Sequence, residues 1–318
     1  MSAIFLSESD VHELLDMRSA IDAVEEAFRR LAAGEASNVP RVRATAPGIV
    51  LHTLSAAAPY LQLVGWKSYT TTKKGAKFLV GLHDAASGEL LALIEADRLG
   101  QLRTGATTAV AAEWLASPDA GELGLFGVGK QAESQLEALA CARPIKRAFV
   151  YSRREEQREG FADRMSDRLE IEVIAVDRPH EAAEDLPIVV TATNSAEPVL
   201  CGEWLAEGCL LCATGSNWRG RAELDVAAIR RADNIVCDSV EACRHEAGDF
   251  TAALEKGIFD WSRAVNLCEV VAGKSVGRNT RDSVVLFKSV GMAIEDVAVG
   301  SVLLARARKN GVGVPLPL

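Results

Sequence analysis

The residues best suited to chemistry fall in three places. The first is Gly127-Val-Gly129-Lys-Gln131-Ala132, which follows the apolar run Leu123-Gly-Leu-Phe126 and opens a helical stretch. In a strand-turn-helix setting this G-x-G-x-x-G/A pattern does its chemistry with the backbone. The first glycine permits a tight turn, the second lets the chain approach a pyrophosphate, and the small third residue lets the helix pack on the sheet. Free N–H groups at the helix start then attract the phosphates. The second place is the end of the next strand, Tyr151-Ser152-Arg153-Arg154. A site selective for NAD puts a carboxylate there for the ribose 2′-hydroxyl. Ser152 with two guanidinium groups suits a 2′-phosphate instead, the lesser alternative being that both arginines open a solvated charged helix. The reading therefore favours NADPH, with NAD as the alternative. The third place is a set of basic residues: Arg43 in Pro40-Arg-Val-Arg-Ala, Lys67 in Gly65-Trp-Lys-Ser, and Arg103 in Leu102-Arg-Thr-Gly. Lys67 stands out because it sits in an apolar strand pattern beside Val64 and Trp66. Cations that converge on one carboxylate hold it by charge-assisted, bidentate hydrogen bonds.

Two kinds of rhythm position these groups. Up to about residue 40 the pattern is helical, with Asp10 and Glu13 at capping-box spacing, apolar Ile21, Val24, Phe28 and Leu31 at helical spacing, and a stop at Gly34. From Val42 to about Leu93, short apolar runs separated by Gly75 and Ser87-Gly88 predict a largely antiparallel sheet. An Ala-rich helix follows, from about Arg103 to Leu115. After Gly121, strands alternate with helical stretches, the signature of a parallel doubly wound sheet. The tail from Val284 predicts a strand or turn and then a long amphipathic helix outside that alternation. The expected class is α/β: a Rossmann sheet at 118–285, and a substrate and dimerisation domain at 1–117 completed by 286–318.

Composition narrows the function. The 318 residues suit about two domains. With 48% hydrophobic and 25% charged residues, the chain has the balance of a soluble globular protein. A net charge of −9 argues against a nucleic-acid surface. No signal-like start and no apolar run of membrane-spanning length are visible, so a cytoplasmic protein is expected. Seven cysteines read as reduced thiols, and Cys209-x-x-Cys212 lies in an apolar run that suits a buried strand better than a redox site. The five histidines are scattered, so no metal site is expected.

Several stretches are similar to the ornithine cyclodeaminase/mu-crystallin family: VRATAP, GWK, LRTGATTAVAAEWL, GVGKQA, TATNSAEPVLCGEWL, GSNWRGRAELD, EAGDF and FKSVGMAIEDVAVG. The resemblance covers nearly the whole chain. It implies a homodimer and a small amino or imino acid substrate between nicotinamide and platform, with Arg43, Lys67 and Arg103 on its carboxylate. It also implies Thr104, Gln131 and Thr193 against the dinucleotide's phosphates or ribose. Ornithine cyclodeaminases carry Asp where this chain has Asn217, and an acid where it has Ser152-Arg153. Asn217 has no charge and cannot serve as a base, though it can hydrogen-bond a substrate nitrogen. Both departures favour an NADPH-dependent reductase of a cyclic imino acid, Δ1-pyrroline-2-carboxylate or its six-membered analogue, giving L-proline or L-pipecolate. Ornithine cyclodeaminase, an alanine dehydrogenase-like enzyme and a non-catalytic nucleotide-binding protein remain as alternatives. Asp282, Lys288 and Glu295 read as structural.

Overall fold

The computed structural model describes residues 2–317. The chain divides into two compact units, Met1–Ala106 with Gly291–Leu318, and Thr107–Val290.

In the first unit, β1 (Ile4–Leu6) leads into α1 (Glu8–Leu14) and α2 (Met17–Ala32). The start of α1 differs from the capping box expected at Asp10 and Glu13. Ser7 is the N-cap, accepting from the Asp10 amide, while the Asp10 carboxylate accepts from the Ser7 amide and hydroxyl. Both Ser and Asp serve at such ends, and the strand at Ile4–Leu6 fixes where the chain turns. In α2, Met17, Ala20, Ile21, Val24, Ala27 and Phe28 form the buried stripe. Each large apolar side chain so buried stabilises by roughly 1.5–3 kcal/mol.

Four strands of ten residues or so follow: β2 (Ser37–Ala46), β3 (Ile49–Ala58), β4 (Leu63–Thr72) and β5 (Gly75–Asp84), then β6 (Leu90–Glu95). They pair antiparallel in sequence, with β1 parallel to β6 and the short C-terminal strand Val314–Pro315 at the far edge. The C-terminal helix Ala293–Asn310 packs on β2 to β5 and on α2. Strand alternation therefore sorts β4 into an inner set, Leu63, Gly65, Lys67 and Tyr69, and an outer set that includes Val64 and Trp66.

Helix α3 (Asp97–Leu115) begins a turn and a half before the expected Arg103 and carries the chain into the second unit. There the strands are β7 (Glu122–Phe126), β8 (Arg147–Tyr151), β9 (Glu172–Ala175), β10 (Ile188–Thr191), β11 (Leu210–Ala213), β12 (Asn234–Cys237), β13 (Ala264–Asn266) and β14 (Val285–Lys288). Helices α4 (Lys130–Ala142) and α5 (Glu155–Leu169) follow β7 and β8. All eight strands are parallel, in the order β13-β12-β14-β11-β10-β7-β8-β9. The order reverses between β7 and β10, the switch point at which ligands bind in doubly wound sheets. Cys209 and Cys212 are buried in the strand region, and burial pushes the Cys209 thiol up to about 12 and Cys212 higher still. Neither thiol forms the nucleophile that redox exchange needs. Among the described residues no helix is long and apolar enough to cross a membrane, and no cluster of three His, Cys, Asp or Glu could hold a metal.

Candidate active site

A cleft of about 1070 Å³ opens at the switch point of the second unit. Its wall includes Gly127, Gly129, Gln131, Ser152, Arg153, Arg154 and Thr193. Gly127 sits at φ +112°, and a Cβ there would come within 2.5 Å of the Ala192 carbonyl oxygen. A Cβ on Gly129 would meet nothing within 4 Å. Gly129 is also the N-cap of α4 and supplies no side chain to its amides, so the helix start faces open space with its N–H groups available to an anion. Gln131 Oε1 is buried with no hydrogen-bond partner among the described residues. An uncapped helix start, a bare glycine and an orphaned amide oxygen together fit a dinucleotide. Ala132 is fully buried, so its part is helix-sheet spacing rather than contact.

Arg153 and Arg154 are exposed at the cleft. The charged run stays exposed through Gln157, and Arg158 alone turns inward, buried and ion-paired with Asp177. Behind the cleft stands a carboxylate that sequence reasoning missed. Glu223 is fully buried and accepts from the Thr193 amide and hydroxyl (2.7 and 2.8 Å), the Gly215 amide (2.8 Å) and the Thr191 hydroxyl (3.0 Å). It thereby fixes two cleft-lining loops. Asp249 accepts from the Glu223 amide (2.7 Å) and pairs with Lys288 at 2.8 Å, and Lys288 Nζ donates to the Ser216 carbonyl at 2.9 Å. Asn217 is half-buried in that same loop after β11.

In the first unit, Lys67 and Arg103 are both buried and both bind one carboxylate. Asp296 Oδ1 accepts from Lys67 Nζ at 2.8 Å and from Arg103 Nε at 3.1 Å, while Arg103 Nη1 donates to Glu295 at 2.7 Å. Gly291, at φ +85°, leaves room for the guanidinium: a Cβ there would stand 2.6 Å from Arg103 Nη1. Burial lowers the Lys67 amine to about 8, with Arg103 and Arg41 adding to the effect and Asp296 opposing it. Arg43 is half-buried and donates from Nε to His52 Nδ1 at 3.2 Å. Burial and the charges of Arg43 and Arg41 hold His52 down at about 4, so the ring is neutral and its Nε2 donates to Thr71. Arg41, two residues earlier on β2, is buried more deeply than Arg43 and lies over the Tyr69 ring. Thr104 donates its hydroxyl to the Gly100 carbonyl at 2.7 Å, inside its own helix.

Comparison with known proteins covers both units of the chain. The description of the ornithine cyclodeaminase/mu-crystallin family matches residues 1–311. The chain belongs to that family. A Delta(1)-pyrroline-2-carboxylate reductase of Bacillus cereus is 35% identical over 76% of this chain and 74% of its own. An alanine dehydrogenase of Archaeoglobus fulgidus is 33% identical over 98% of both chains. The solved Delta(1)-pyrroline-2-carboxylate reductase of Thermococcus litoralis, in complex with NADH and L-proline, superposes with a TM-score of 0.94 at 32% identity, covering 98% of this chain and all of that one.

Within this family member, the residues missed by sequence reasoning are Arg41, Glu223 and Asp296. Arg41 and Arg43 share a strand face by spacing, and nothing in Pro40-Arg-Val-Arg says which one is buried. Asp296 lies in the stretch FKSVGMAIEDVAVG, but its partner Lys67 is 229 residues away in the chain.

Proposed function

We propose that the protein is an NAD(P)H-dependent reductase of a cyclic imino acid, with Δ1-pyrroline-2-carboxylate as the leading substrate. The observation that carries the reading is the buried Lys67 amine, lowered to about 8, beside two buried arginines. Such a group is still protonated near neutral pH and is a strong enough acid to give the proton up readily. Arg103 and Arg41 bind the carboxylate, with Arg43 and the neutral His52 bordering them. When bound, a nicotinamide dinucleotide supplies a hydride. Lys67 would protonate the imine nitrogen, which makes the C=N carbon the better acceptor of a hydride. Asn217 accepts or donates a hydrogen bond without contributing charge. Ser152, Arg153 and Arg154 favour NADPH; the NADH bound by the Thermococcus relative makes NADH the competing donor.

A second reading, alanine dehydrogenation, is favoured by the full-length match to the archaeal enzyme. The test follows reduced-nicotinamide absorbance with each dinucleotide and Δ1-pyrroline-2-carboxylate, against pyruvate with ammonia and against L-ornithine with NAD. Fast oxidation only with the cyclic imine supports the proposal. Turnover only with pyruvate and ammonia transfers the site to alanine, and ammonia release from ornithine would show that a carboxylate at 217 is dispensable.

We also propose a homodimer through the outer face of the first sheet. Val42, Leu51, Val64 and Leu79 are exposed there, while the inner face is covered by helix. An apolar sheet face of this kind is covered in stable proteins. Sedimentation should give twice the chain mass; a monomer at micromolar concentration would remove the proposal.

A further inference from the structure

Two features of the first unit remain unused by the mechanism: Gly100 within α3 and the second oxygen of Asp296. They meet at one atom. A Cβ built on Gly100 would stand 2.9 Å from Lys67 Nζ and 4.0 Å from its Cε, and it would meet nothing else within 4 Å. The ammonium therefore occupies the space that any other residue at 100 would fill. From the other side Asp296 Oδ1 takes the Lys67 hydrogen bond at 2.8 Å, and Asp296 Oδ2 is buried without a hydrogen-bond partner among the described residues. A buried carboxylate oxygen left unpaired is costly, so the pair is retained against a penalty that an apolar residue would avoid. A glycine inside a helix is likewise unfavourable, because it has more backbone freedom to lose than alanine.

We infer that Gly100 and Asp296 are positioning residues that together seat the Lys67 ammonium and aim it at the reacting nitrogen. The inference rests on Lys67 being the proton donor proposed above. Gly100 sets where the ammonium lies; Asp296 sets how long it stays charged as pH rises. The other groups facing Lys67 are accounted for. Arg103 from α3 and Arg41 from β2 favour the neutral amine. Leu54 of β3 and Val80 of β5 are its apolar strand partners, and the Phe78 ring lies 5.5 Å from Nζ. Asp296 thus acts directly in favour of the charge, while Glu295 pairs with Arg103.

The experiment compares Gly100→Ala, Asp296→Asn and Lys67→Met with the unaltered protein. The readouts are kcat/KM against pH, the affinity for NADPH by fluorescence, and thermal stability. Gly100→Ala meets only the flexible end of a side chain and gains helix propensity. It should keep or raise Tm while kcat falls on the order of 100-fold, the cost of a misplaced reacting group, and NADPH affinity stays unchanged. Asp296→Asn keeps the hydrogen-bond shape and removes the charge, so the alkaline limb of kcat/KM, expected near 8, should move to lower pH. If Gly100→Ala is fully active, or if Asp296→Asn lowers the rate equally at every pH, the seat is refuted and both residues are packing elements. Lys67→Met separates the two levels of the argument: if it keeps turnover and the alkaline limb, the proton-donor reading itself falls, whatever the other variants do.

Discussion

Each unit buries one lysine against an aspartate at 2.8 Å, and the two amines are driven in opposite directions. Lys67 in the first unit is lowered to about 8, because burial is reinforced by Arg103 and Arg41 and opposed by Asp296. For Lys288 in the second unit burial again works against the charge, but Asp249 and Glu223 outweigh it and raise the amine above its ordinary value. The surrounding charges therefore decide which buried lysine can release a proton near neutral pH and which is a permanent cation. Lys67 is poised for chemistry. Lys288 is a clamp: it holds the Ser216 carbonyl and pairs with Asp249, whose carboxylate accepts from the Glu223 amide.

The comparison is broken most directly at Lys67. Lys67→Met should lower kcat by about 10²–10⁴-fold, the usual weight of general acid catalysis, with NADPH affinity intact. It should destabilise little, since Arg103 still pairs with Asp296. Lys288→Met should do the reverse. It leaves Asp249 and Glu223 buried without their cation, at a cost of about 3–5 kcal/mol in stability, read from denaturant unfolding. Equal stability losses in the two variants would erase the distinction.

The two sites also differed in how far the sequence disclosed them. The dinucleotide cleft is written in consecutive residues, because its function is backbone geometry: a turn, a bare glycine and a helix start occupy Gly127 to Lys130. Strand-helix alternation likewise placed the parallel sheet. The cation cluster is written in residues that only the fold brings together. Lys67 could be found from its apolar flanks, but Asp296 and Gly100 could not, because neither has a local pattern that demands it. Arg41 escaped for a different reason: burial on an edge strand depends on what packs above it, and Gly291, whose carbonyl Arg41 faces at 3.5 Å, is 250 residues distant.

Gly127→Ala tests the cleft's dependence on backbone. At φ +112° with the Ala192 oxygen 2.5 Å from the added carbon, the substitution should cost about 1–3 kcal/mol of strain. It should also weaken NADPH and NADH alike. Unchanged affinity for both would mean that the turn does not carry the pyrophosphate.

The smallest expected effect is the most selective. Arg153 is exposed, so solvent screens whatever it offers a 2′-phosphate, and the interaction is worth less than a buried charge-assisted bond of about 1.5–3 kcal/mol. Arg153→Ala should therefore raise the KM for NADPH about tenfold or less and leave that for NADH within error. The discrimination should shrink further as salt rises, because the pair is open to counterions. Lys67 is buried, so the same salt series should leave its alkaline limb in place. A salt-dependent limb, or equal losses for both dinucleotides in Arg153→Ala, would mean that exposure and burial do not divide the two sites as their geometry implies.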